Sequence, residues 1–450
     1  MTTSRRFLFL QGAATPFFRD LSAAIQKQGH TVFRVNFCGG DSLYSLFSGN
    51  ATCWRFNQAH QHLLDWLSPK HQQHHFSDVV VFGDSRPIHQ AAIQFFQQQG
   101  VRVYVYEEGY LRPSWITLEK NGVNGYSSLI DQTLSFWQKA YNVASPAHLT
   151  PKNTGNTFWA RASFDIAYRL ANIVLWPLYH RYRTHRPLPA YKEYAGWLWR
   201  FPNNKLWREK REHRLINELI HSKTSFYLFP LQLDSDAQIK VHSPFKSVKQ
   251  AIDLVINSFA KHAPTDSKLL IKNHPLDTGL LQYHQYVKAL VQALDLSERV
   301  IFIETGHLPL LLKNAQGTVL VNSTTGTSAL LHNCPLIALG KAIFNIPGLT
   351  FQEGLDKFWT EAKAPDKKLY RQFQQILIAK TQINGDFYSR YGRQLAVAGS
   401  LKAMQIMPIP VETLGQSDPL LEHSLIPASP VSPISYGGKL PDKTYLYKKQ

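Results

Sequence analysis

The chain has 450 residues, 44% of them hydrophobic, with 25 Gly and 25 Pro; it is long enough for two or three packed domains and too apolar for a disordered or collagen-like chain. Three cysteines, Cys38, Cys53 and Cys334, show no CxxC or Cys/His spacing, which argues against a disulfide framework and structural zinc and points to a reducing compartment. Lys and Arg outnumber Asp and Glu 49 to 31, and the resulting charge of +18 calls for something anionic: nucleic acid, nucleotide, acidic glycan or lipid headgroup.

Residues 7–10 read as a first strand, because the apolar stretch stops at Gln11, too soon for a signal-peptide core. An amphipathic stretch at 16–28, a strand at 32–36, a strand at 78–82, a helix at 87–99 and a strand at 101–106 follow; this alternation predicts an open parallel sheet. A second series has strands at 225–230, 269–273, 300–303 and 318–322, with helices at 248–262 and 280–294. The fold expected is α/β: two Rossmann-like domains facing across a cleft, at 1–157 and 223–406. Between them, residues 158–211 hold five of the ten Trp and eleven Lys/Arg against three Asp/Glu, so 158–222 is set apart as a basic, aromatic-rich linker and expected as the membrane-contact segment. Seven prolines among the 44 residues from Met407 onward predict a flexible tail, 407–450. The most apolar run, 164–179, is interrupted by Asp165, Arg169 and Pro177, so any membrane contact is expected to be peripheral.

Functional groups in open α/β sheets collect at the carboxyl ends of strands. In the first half these ends carry Gln11-Gly12, Asn36 to Asp41 with Gly40, Asp84 and Arg86, and Glu107 to Arg112. Glu107 and Glu108 should point to opposite faces, one of them into the cleft as a general acid or base, or else paired with Arg112 or Arg86. In the second half, Gln232, Asp234 and Asp236 follow one strand and Lys272, His274 and Pro275 end the next. Ser323 and Thr324 open a helix whose N–H groups suit a phosphate, as plain capping would also explain. No P-loop and no HExxH motif occurs, and Asp234-x-Asp236 is the single DxD match, so no metal is required.

These motifs, in order from about residue 5 to residue 400, resemble the KpsS/LipB family of capsular polysaccharide proteins. The resemblance rests on Phe9-Leu10-Gln11-Gly12, Asn36-Phe37-x-Gly39-Gly40-Asp41, Phe82-Gly83-Asp84-x-Arg86-Pro87-x-His89 and Glu107-Glu108-Gly109-Tyr110-Leu111-Arg112-Pro113. Pro230-Leu231-Gln232-x-Asp234-Ser235-Asp236, Lys272-x-His274-Pro275-Leu276-Asp277 and Val321-Asn322-Ser323-Thr324-x-Gly326 complete it. It implies a GT-B glycosyltransferase, cytoplasmic and peripheral on the inner membrane. Such an enzyme is a retaining β-Kdo transferase, moving Kdo from CMP-Kdo to a phosphatidylglycerol-type lipid to start the poly-Kdo linker of a capsule.

Carried over residue by residue, the family's motifs fall on Glu107-Glu108-Gly109, Gln232-x-Asp234-x-Asp236, His274-Pro275 and Ser323-Thr324; since retention is most simply reached by two displacements, Glu108 is expected as the acid/base and Asp236, with Asp234 as fallback, as the nucleophile. His274 joins them in catalysis; Lys272, His274, Pro275, Ser323, Thr324 and Gln232 hold the donor. Gln11, Asn36, Gly40, Asp41, Asp84, Arg86, Glu107 and Arg112 line the acceptor side. Cys38 departs from the pattern, where a polar residue is expected. The implied partners are an anionic lipid acceptor, the membrane surface and other capsule-assembly proteins, with no cofactor and no nucleic acid. A CMP-sialic acid transferase of the same architecture and a non-catalytic membrane-surface scaffold for capsule assembly or export stay open. Nucleic-acid binding has only charge behind it, with no RRM, KH or zinc-finger pattern.

Overall fold

The computed structural model describes residues 4–143, 150–184, 196, 200 and 208–406. The proline-rich tail, Trp197, Trp199, Trp207 and Arg186 lie outside the described residues.

The first half builds strands β1 (Arg6–Phe9), β2 (Thr31–Asn36), β3 (Thr52–Arg55), β4 (Asp78–Phe82), β5 (Arg102–Glu108) and β6 (Trp115–Lys120). Helices α1 (Phe17–Lys27), α2 (Gly39–Ser45), α3 (Leu63–His74), α4 (Pro87–Gln98), α5 (Leu134–Val143) and α6 (Phe158–Val174) accompany them. The second half supplies β7 (Phe226–Pro230), β8 (Lys268–Lys272), β9 (Val300–Ile303), β10 (Gly317–Leu320) and β11 (Leu336–Ala338), and a last strand, β12 (Gln382–Asn384), follows. Two sheets result, ordered β12-β6-β5-β4-β1-β2-β3 and β11-β10-β7-β8-β9. The second is parallel throughout. Its strands are continuous apolar runs, as burial on both faces demands, with Leu228, Leu269, Leu270 and Ile271 wholly buried. The α/β reading therefore holds, with strand ends from both sheets available to a cleft.

Two features depart from the expected pattern. The first sheet is parallel from β3 to β5, but β6 and β12 join its edge antiparallel. The hairpin between β5 and β6 needs Gly109, since a Cβ there would lie 2.2 Å from the Trp115 carbonyl oxygen. β12 crosses back from the second half, and the helix Arg390–Ala403 after it packs on α1. Residues 223–406 thus contribute a strand and a helix to the first half. A hydrogen bond fixes this return: Gln382 Oε1 accepts the Tyr110 N–H at 3.0 Å, and Gln382 Nε2 donates to Thr117 Oγ1 at 3.0 Å.

Candidate active site

β5 ends in the two carboxylates. Glu107 Oε1 accepts the Glu108 N–H at 2.9 Å. Burial, reinforced by the negative charges of Glu108 and Asp236 and opposed by Arg86, pushes the Glu107 carboxyl up to about 7. Glu108 has other company. The Tyr388 hydroxyl donates to Glu108 Oε1 at 2.7 Å, and Arg161 Nη2 lies 3.5 Å from the same oxygen. The Arg161 guanidinium also sits over the Tyr388 ring, 5.0 Å from its centroid. The ion pair of Glu108 is therefore with Arg161 of α6; Arg112 donates instead to the Gly109 carbonyl at 3.3 Å, and Arg86 to Gln11.

The second sheet presents Asp236 and His274 toward these groups. Asp236 Oδ1 accepts the Gln238 N–H at 3.0 Å; burial raises its carboxyl, with Arg112 pulling the other way. Asp234 accepts the N–H of Val248 at 2.9 Å, the first residue of the helix Val248–His262, so its oxygen is engaged as a helix cap. Gln232 Nε2 donates to Asn322 Oδ1 at 3.1 Å while its Oε1 accepts the Asn322 N–H at 3.2 Å, tying together the segments that follow β7 and β10.

His274 Nδ1 accepts the Leu276 N–H at 3.1 Å, which leaves Nε2 to carry the proton of a neutral ring. Burial and the positive charges of Lys272, Arg112, Arg200 and Arg161 push this imidazole down to about 4. The same four cations that disfavour imidazolium favour a bound anion. Lys272 is buried, with Glu212 and Glu304 as its acidic neighbours and Nζ 3.4 Å from the Asn273 carbonyl, so its charge reaches the cleft as a field rather than by contact. Pro275 is exposed at the strand end.

Ser323 Oγ accepts the Thr325 N–H at 3.1 Å, capping the turn into the helix Thr325–Leu331. Thr324 and Thr327 line a small open pocket together with Tyr110, Asn124, Lys341 and Phe344. Thr327 Oγ1 donates to the Tyr110 carbonyl at 3.0 Å, joining the two halves beneath that pocket.

The remaining expected acceptor-side residues are held in largely buried polar contacts, with Arg86 the one whose charge also reaches Glu107. Gln11 Nε2 donates to Asp41 Oδ2 at 3.1 Å, and its Oε1 accepts from Arg86 Nη1 at 3.0 Å. Tyr168 of α6 donates to Asp41 Oδ1 at 2.9 Å, and the Gly40 N–H donates to Asn172 at 2.7 Å. Asn36 donates to Ser45 at 2.8 Å; Asp84 accepts the Val123 N–H at 2.7 Å and the Ser85 hydroxyl at 2.8 Å. These polar groups satisfy one another and position α2, α6 and the loop after β6.

Sequence reasoning missed Arg161, Tyr388 and the residues that hold the His274 loop. Arg200 donates to Asp277 Oδ2 at 3.0 Å and also bonds Glu304; Asn273 Nδ2 donates to both carboxylates, at 3.1 and 2.9 Å. The Arg/Trp bias of 158–211 was the one signal for Arg161 and Arg200, and Tyr388 had none.

Residues 77–388 match the family model described as capsule polysaccharide biosynthesis protein. The chain is 35% identical over 399 residues to the capsule polysaccharide export protein KpsS of Escherichia coli, covering 86% of this chain and 98% of that one. It is 33% identical over 398 residues to the capsule polysaccharide modification protein LipB of Neisseria meningitidis serogroup A, covering 87% and 93%. Among solved structures, the β-Kdo 2,7 transferase of Thermosulfurimonas dismutans KpsC aligns with 83% of this chain and 100% of its own, at 13% identity and a TM-score of 0.39.

Proposed function

Because the chain belongs to the capsule polysaccharide biosynthesis family, we propose that it is a glycosyltransferase that moves Kdo from CMP-Kdo to a phosphatidylglycerol-type lipid with retention of configuration. One observation carries this reading: acids from both sheets share one electrostatic field, the charge of Asp236 after β7 raising the Glu107 carboxyl at the end of β5, while Arg112 acts on both Asp236 and the His274 imidazole, itself set among four cations. Two carboxyls at one sugar centre suit a double displacement, and the cations suit a departing nucleotide phosphate.

In this reaction the Asp236 carboxylate attacks the anomeric carbon of Kdo while the bond to the CMP phosphate oxygen breaks. The leaving phosphate takes both electrons into the field of Arg112, Arg161 and Lys272, with the neutral His274 Nε2–H as donor. The acceptor hydroxyl then displaces Asp236 and loses its proton to Glu107, the carboxyl whose affinity for a proton lies near neutral pH. Glu108, held by Tyr388 and Arg161, keeps those side chains at the cleft; it replaces neither Glu107 nor Asp236. Thr324 and Lys341, which line the small pocket after β10, offer polar groups to the nucleotide.

Purified protein incubated with CMP-Kdo and the lipid tests the reading by release of CMP and a lipid product heavier by one Kdo. Turnover of CMP-sialic acid in place of CMP-Kdo would assign the sialyl alternative. Loss of neither donor in the presence of lipid would leave the scaffold.

A further inference from the structure

α6 reverses the usual distribution of polar and apolar side chains on a surface helix. Its inner face meets α2 through polar keys: Tyr168 donates to Asp41 at 2.9 Å, Asn172 accepts the Gly40 N–H at 2.7 Å, and the Phe164 carbonyl accepts from Tyr44 at 2.7 Å. The two helices lie so close that a Cβ at Gly39 would fall 2.1 Å from the Ala171 carbonyl oxygen. Its outer face is apolar and in water: Trp159, Ile166, Leu170, Ile173 and Val174 are 80%, 48%, 56%, 69% and 73% exposed. At 100° per residue, positions 159, 166, 170 and 173 fall within about 40° of one line along the helix. Trp176 follows at 61% exposure, and Phe47, just beyond α2, at 90%. A contiguous apolar stripe of this kind marks an interaction surface.

We propose that this stripe docks on an anionic lipid bilayer, α6 lying in the headgroup plane. The inference stands apart from the donor and acceptor assigned above, since vesicle binding needs neither. Charge complementarity selects the bilayer: the chain carries +18, and exposed His180, Arg181 and Arg183 follow the stripe directly. Trp159 and Trp176 stand at its two ends, and tryptophan favours the headgroup level. Among the described residues no helix is long and apolar enough to cross a membrane, and α6, at 17 residues with Asp165 and Arg169, fits a helix that lies on the surface. From its opposite side α6 sends Arg161 to Glu108, so the docked helix also buttresses the candidate site.

The full chain is sedimented with vesicles of phosphatidylcholine alone and with phosphatidylglycerol added. The wild type is expected to bind the mixed vesicles and to release as salt rises. The triple variant Ile166→Ser, Leu170→Ser, Ile173→Ser should bind them about tenfold or more weakly with an unchanged circular dichroism spectrum. Should the triple variant fail to fold, Leu170→Ser and Ile173→Ser singly carry the same test. Undiminished vesicle binding by the folded variants overturns the proposal, as does a wild type that ignores both kinds of vesicle. So does a wild-type dimer that the substitutions dissociate while vesicle binding persists, which would give the stripe to a second copy of the chain.

Discussion

Tyr388 donates its hydroxyl to Glu108 at 2.7 Å, a bond between residues 280 positions apart. It exists because β12 returns to the first sheet and carries residues 385–389 across the end of β5. Tyr388→Phe removes a charge-assisted hydrogen bond and leaves Arg161 as the remaining partner of Glu108 among those described. The expected outcome is a fall in kcat/KM of roughly tenfold with an unchanged circular dichroism spectrum, read in a CMP-release assay.

As the proposed base, Glu107 should govern the pH dependence. With its carboxyl raised to about 7 from an ordinary 4.5, kcat/KM should climb as pH passes through about 7, where the base loses its proton. Stability moves the other way: the folded state holds this proton more tightly than the unfolded chain, so the contribution is full below about 4.5 and is lost as pH rises through 7. Glu107→Gln should therefore abolish the neutral limb of the rate profile while raising Tm at pH 8 and leaving it unchanged at pH 4.

His274 behaves oppositely. Its imidazole, pushed down to about 4, binds fewer protons than the unfolded chain between 4 and 6.5, so its contribution to stability is present above 6.5 and is lost as pH falls toward 4. A bound nucleotide phosphate should draw the pKa upward, visible as a shift of the His274 ring resonances on adding CMP. His274→Ala should reduce turnover by roughly 100-fold, mostly in kcat, through loss of a donor to the leaving group.

Arg200 bears on stability. Its guanidinium bonds Asp277 and Glu304, both buried beside Asn273. Arg200→Ala leaves Glu304 with Arg208, which is half-exposed, and Asp277 with neutral donors. A loss of about 3–5 kcal/mol is expected from denaturant unfolding, whereas Lys363→Ala on the surface should change little.

Much of the fold was legible where the local pattern is strong. The strand expected at 78–82 and the helix expected at 248–262 coincide with Asp78–Phe82 and Val248–His262, because a buried Val-rich run and a regular apolar face each decide their own conformation. β12 was not legible: three residues, Gln382–Asn384, carry no periodicity and owe their strand conformation to β6. The carboxylates of the site could be read because they end a strand. Their partners could not, since Arg161 and Tyr388 reach Glu108 from a helix and a loop that local sequence does not connect to it. Nor could the burial of Lys272 near Glu212 and Glu304 be read, since those acids lie far from it in sequence.

In the proposed retaining Kdo transfer, Asp236 is the nucleophile and Glu107 the base. Wild-type, Asp236→Asn and Glu107→Gln proteins are incubated with CMP-Kdo and a phosphatidylglycerol lipid, with mass spectrometry of the lipid and NMR of its anomeric centre. One β-linked Kdo on the lipid is expected with the wild type, and a loss of roughly 1,000-fold or more with Asp236→Asn. Kdo transferred at the wild-type rate by Asp236→Asn, or a product of inverted configuration, would contradict this mechanism.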